Sequence, residues 1–60
     1  MKITSKKITA IRHAMNETQV EFAKRFERSF STIKRWESGS SEPVFHEVLY
    51  IQSLIKNLET

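Results

Sequence analysis

Phe30 with Lys34, and Ser31 with Lys34 and Arg35, stand at the three- and four-residue intervals that gather side chains on one face of a helix. Their polar groups are cationic or hydroxylic, no carboxylate interrupts them, and Phe30 adds a single apolar surface. Lys and Arg can donate to O6 and N7 of guanine, a Ser hydroxyl can donate or accept, and an aromatic surface can meet the thymine methyl. The chemistry on offer is hydrogen bonding to base-pair edges. A helix that met only water would more often carry both signs of charge.

The charge distribution points the same way. The net charge is only +3, but residues 1–35 hold nine Lys or Arg against three Glu, while the rest hold one Lys against four Glu. A protein that displaces counterions from a phosphate backbone needs its cations gathered on one side. Bond-making chemistry finds less support. The chain has no nucleophile elbow, no phosphate-cradling Gly loop and no pair of carboxylates that spacing forces together, so no enzyme is expected. With no Cys and only His13 and His46, no metal site and no cofactor are expected, and both His read as surface or packing residues.

At 60 residues the chain is read as a single domain, 1–60. A domain of this size buries about 60% of its extended surface, so its core is marginal and gains from a second subunit. No apolar run is long enough for a membrane span, and Met1 to Thr4 lack the apolar stretch of a signal peptide, so a cytoplasmic location without membrane contact is expected.

The elements that must position Phe30 to Arg35 are all helical. Ile8, Ile11 and Met15 follow Thr4 and Ser5, either of which can cap a first helix over roughly Ser5 to Met15. Thr18 and Glu21 have the spacing of a capping box, behind which Phe22, Ala23 and Phe26 form an apolar stripe. Ser29 can cap a third helix with Ile33 and Trp36 inward, about three residues after the second ends. Two short helices joined by so tight a turn form a supersecondary unit whose second helix enters the major groove in its DNA-binding versions.

After the break at Gly39 to Pro43, Val44, Val48, Ile51, Ile55 and Leu58 make the inner stripe of helix 4, about 43–58. Phe45, Leu49, Tyr50 and Leu54 widen it beyond the roughly 100° that a surface helix needs. The expected use of that surplus is a twofold homodimer interface.

The run Thr18-Gln19-Val20-Glu21-Phe22-Ala23-Lys24-Arg25-Phe26, then Ser29-Phe30-Ser31-Thr32-Ile33-Lys34-Arg35-Trp36-Glu37-Ser38-Gly39 and Pro43, resembles the Cro/phage-repressor (XRE) helix-turn-helix family. The likeness extends over about Ile8 to Leu54. It implies an all-α, lambda-repressor-like compact bundle of four helices with a central helix-turn-helix at about 18–38. The function it implies is sequence-specific double-stranded DNA binding and transcriptional regulation, as a repressor on a pseudo-palindromic operator, in the cytoplasm of a bacterial or phage-infected cell at the nucleoid. On that resemblance Phe30, Ser31, Lys34 and Arg35 read bases, and Gln19, Arg28, Ser29, Ser38 and Ser40 meet phosphate. It also pairs Arg12 on helix 1 with Glu37 at the end of helix 3.

Two positions depart from the family pattern. Glu27 stands where Gly is usual in the turn, and must either adopt a left-handed conformation at a cost of about 1 kcal/mol or bend the turn differently. Arg28 stands where an inward aliphatic is usual, and either reaches a phosphate or turns to water. A different class of function is also compatible with these residues: an antitoxin or other protein-binding module, with DNA binding secondary.

Overall fold

Three hydroxyl side chains start three helices. The computed structural model describes residues 3–59, which form α1 (Ser5–Ala14), α2 (Gln19–Arg25), α3 (Phe30–Ser38) and α4 (Phe45–Glu59), with no strands among the described residues. Met1, Lys2 and Thr60, included in the single-domain reading and, for Lys2, in the charge count, lie outside them. The Thr4, Thr18 and Ser29 side chains accept from the amides of Lys7, Glu21 and Thr32, satisfying amides that a helix start leaves without partners. At α2 the capping box is complete, since Glu21 returns a bond to the Thr18 amide at 2.8 Å.

Helix α4 starts two residues after Pro43 rather than at it. The Val44 carbonyl accepts from the amides of Glu47 and Val48, and the Val44 amide is taken by Glu47 Oε1 at 3.0 Å. Val44 has no side-chain acceptor, so Glu47 supplies only one half of a capping arrangement.

The first three helices end alike. After α1, α2 and α3 the chain turns through a left-handed residue, Asn16 (φ 59°), Glu27 (φ 54°) and Gly39 (φ 84°). In each case the next amide reaches back five residues to a carbonyl of the last helical turn or so: Glu17 to Arg12, Arg28 to Ala23 and Ser40 to Arg35. Helix α1 thus closes at Ala14, with Met15 as its cap rather than its last turn.

The core gathers Ile8 and Ile11 from α1, Phe22 and Ala23 from α2, Ile33 and Trp36 from α3, and Val48 and Ile51 from α4, with Ile3 at its edge. Helix α2 packs on α3, and α1 packs on both α3 and α4. Full burial of an aromatic such as Phe22 contributes about 1.5–3 kcal/mol. Leu54 and Ile55 also pack on this core, whereas Val44 and Leu58, expected in its stripe, are about half exposed. Position explains the difference: Val44 precedes the first residue of α4 and Leu58 lies in its last turn, so both stand at the ends of the stripe. No helix among the described residues is long and apolar enough to cross a membrane.

Candidate nucleic-acid interface

Helix α3 has one face in the core and one in solvent. Ile33 and Trp36 are buried, and the Trp36 ring meets Phe26 edge to face at 5.3 Å, which seats the helix against the turn before it. Phe30, Ser31, Lys34, Arg35 and Ser38 are all exposed, and no carboxylate lies among them. Lys34 Nζ stands 5.5 Å from the Phe30 ring centre, a cation–π approach that restrains both side chains.

The distribution of ion pairs sharpens this surface. Arg12, Arg25 and Arg28 are held by Glu37, Glu17 and Glu47, whereas among the described residues neither Lys34 nor Arg35 enters a salt bridge. Among the described residues, no carboxylate pairs with their charge.

Behind α3 a polar network fixes its C-terminal end. Arg12 Nε and Nη2 donate to the two Glu37 oxygens at 2.6 and 3.1 Å, and Gln19 Nε2 donates to Glu37 Oε1 at 3.0 Å. Arg12 Nη1 also donates to the Glu17 carbonyl at 2.8 Å, while the Glu17 carboxylate accepts from Arg25 Nη2 at 2.6 Å. Helices α1, α2 and α3 are thereby tied through one carboxylate. Burial alone would raise the Glu37 carboxyl, but the bonds from Arg12 and Gln19 outweigh it and hold the group below its ordinary value of 4.5.

The α2–α3 turn, Phe26 to Ser29, is secured from α4. The Arg28 guanidinium pairs with a carboxylate of α4. Its Nε and Nη2 donate to Glu47 Oε2 and Oε1 at 2.7 and 3.1 Å, a fork-on-fork pair in which the Arg28 side chain is 41% exposed and that of Glu47 only 4%. Burial would raise the Glu47 carboxyl, but the Arg28 bonds and the Val44 amide reverse that and lower it. Glu27 takes the left-handed alternative, φ 54°.

The other expected phosphate contacts are partly engaged within the chain. Gln19 commits an amide donor to Glu37, so bracing is the role its geometry displays. Ser29 caps α3 and lies 3.2 Å from the Thr32 hydroxyl. Ser38 Oγ donates to the Arg35 carbonyl at 3.1 Å and is 3.0 Å from Ser40 Oγ, so the two form an exposed hydroxyl pair at the end of α3.

The four residues expected at a dimer interface divide. Leu54 packs on its own core. Tyr50 meets Phe26 edge to face at 5.1 Å, and its hydroxyl accepts from Arg25 Nη1 at 3.4 Å, so much of it serves its own chain. Phe45, at 70% exposure, and the exposed Leu49 remain as the outward apolar pair.

Three contributors escaped the sequence reading. Glu47 and Arg25–Glu17 join segments whose proximity depends on packing, although an acidic residue in the first turn of α4 is itself a recognisable helix-start signal. Asn16 could have been found, because Asn is the second choice after Gly at a left-handed helix end.

No protein-family model matches the chain, and no curated protein or solved structure matches it significantly.

Proposed function

We propose that this chain is a sequence-specific double-stranded DNA-binding transcriptional regulator, a repressor with a lambda-repressor-like fold of the Cro/phage-repressor type, whose α3 reads the major groove. The observation that carries this reading is the outer face of α3: Phe30, Ser31, Lys34 and Arg35 are exposed and, among the described residues, enter no salt bridge, while the arginines of α1, α2 and the turn are each paired. Cations without an internal salt bridge have none to break before they meet phosphate and base acceptors, and the Glu37 network holds the helix that presents them.

A single α3 of this length reaches few base pairs, so the active unit is a homodimer on a pseudo-palindromic operator, with half-site centres about 34 Å apart. Phe45 and Leu49 on α4 supply the apolar contact between copies.

Selection of bound sequences from a random duplex pool tests the reading. A defined motif should emerge, Arg35→Ala and Lys34→Ala should each weaken binding to it by about 1–3 kcal/mol, and preference should change at particular base pairs. Affinity should fall steeply with salt, with a slope of about −0.9 per phosphate contact. Binding that is absent or flat in salt would favour a protein partner instead.

A further inference from the structure

Glu47 is a charged side chain buried to 3% exposure. Its two oxygens accept from Arg28 Nε and Nη2, and Oε1 also accepts from the Val44 amide. Its neighbours Val48 and Ile51 anchor the same stretch of α4 in the core. The carboxylate is therefore a fixed point, and the group it holds is the residue directly before the Ser29 cap of α3.

That turn needs holding. Glu27 occupies the left-handed region, where a residue with a Cβ is disfavoured by about 1–2 kcal/mol. Three backbone bonds close the turn on α2, Phe26 to Ala23 at 3.1 Å, Glu27 to Lys24 at 3.3 Å and Arg28 to Ala23 at 3.0 Å, but none ties it to α4, which the Phe26 ring meets only through an edge-to-face contact with Tyr50. The Arg28–Glu47 pair ties the turn to α4. Two parallel charged bonds fix direction as well as distance, which an aliphatic side chain in the same place would not.

We propose that Glu47 is a positioning residue for sequence readout: by clamping Arg28 it sets the α2–α3 turn, and with it Phe30 and Ser31 at the start of α3, against α4. The inference rests on the DNA-binding reading above. It reassigns Arg28, whose charge Glu47 already balances, from a phosphate contact to a clamp. Base-edge hydrogen bonds tolerate errors of only about 0.5 Å, so a looser turn relaxes discrimination before it abolishes affinity.

The two roles of Arg28 make opposite predictions, which full-length wild type, Arg28→Lys, Arg28→Met and Glu47→Gln separate. Each is titrated with the duplex selected by the wild type and with its single-base-pair variants, by fluorescence anisotropy between 50 and 200 mM salt. A clamp predicts that Arg28→Lys and Glu47→Gln lower discrimination about tenfold, because Lys keeps the charge but not the fork. It also predicts an unchanged salt slope in Arg28→Met. Simple loss of stability would instead weaken all duplexes alike.

Glu47→Gln can unfold so small a domain, so Arg28→Lys, altered at a partly exposed side chain, is decisive. Undiminished discrimination in Arg28→Lys overturns the proposal, as does a salt slope shallower by about 0.9 in Arg28→Met with discrimination intact. Wild-type protein that selects no duplex overturns the functional reading itself, and this inference with it.

Discussion

Arg12 and Glu37 lie 25 positions apart in the chain, yet Arg12 Nε meets Glu37 Oε2 at 2.6 Å, with both side chains largely withdrawn from water. The pair joins the last turn of α1 to the last turn of α3, so the end of the helix with the exposed Lys34 and Arg35 is set by a charge on its neighbour.

Removing one partner leaves the other buried without compensation. Arg12→Ala should therefore destabilise the domain by about 3 kcal/mol, a large share of what so small a core supplies. Urea denaturation followed by circular dichroism measures it, and a loss below about 1 kcal/mol would mean that water already screens the pair.

Acid should weaken the fold through two carboxylates. Glu37 and Glu47 are held below their ordinary value of 4.5 in the folded chain, against burial that would raise them, by Arg12 with Gln19 and by Arg28. The unfolded chain thus takes up protons first. Their contribution is whole above about pH 4.5 and declines as pH falls through the lower folded values. Melting temperature recorded from pH 7 to pH 3 should drop in that window, and the drop should be smaller in Glu37→Gln, which starts from a lower plateau.

The left-handed helix ends separate by residue type. Glu27→Gly should relieve the backbone of the turn and raise stability by up to about 1 kcal/mol, the gain being reduced by glycine's greater freedom when unfolded. Gly39→Ala should cost about 1 kcal/mol. A Cβ there would meet only Ser5 Oγ at 4.0 Å, so the cost comes from φ and not from crowding. Chemical denaturation of both variants checks the two signs.

Self-association should depend on Phe45 and Leu49. Phe45→Glu or Leu49→Glu should shift sedimentation equilibrium toward monomer at micromolar concentration while leaving the helical signal intact, because both side chains are exposed. Leu54→Glu should instead unfold the chain, since Leu54 packs on its own core. A wild type that stays monomeric with and without operator would remove the dimer from the proposal.

The local features were legible because their causes are local. Thr18 with Glu21, Ser29 and Gly39 signal caps within a few residues, and spacing alone separates Ile33 and Trp36 from Ser31, Lys34 and Arg35 on α3. What escaped depends on distance in the chain. Arg28 finds Glu47 nineteen residues away, and Tyr50 finds Phe26, only because α4 lies where it does. Helical periodicity placed Val44, Leu54 and Leu58 on a wide stripe, but only the packed fold decides that Leu54 is covered and the two at the ends are not.

Trp36 is the single tryptophan, and it sits on the buried side of α3 with the Phe26 ring at its edge. The molecule therefore carries its own optical probe at the most informative place. Detachment of α3 from the core would wet the indole and move its emission to the red, whereas a duplex laid along Lys34 and Arg35 approaches the opposite side and leaves it dry. A red shift in this one emission would thus report loss of the α3 packing itself, with no label attached.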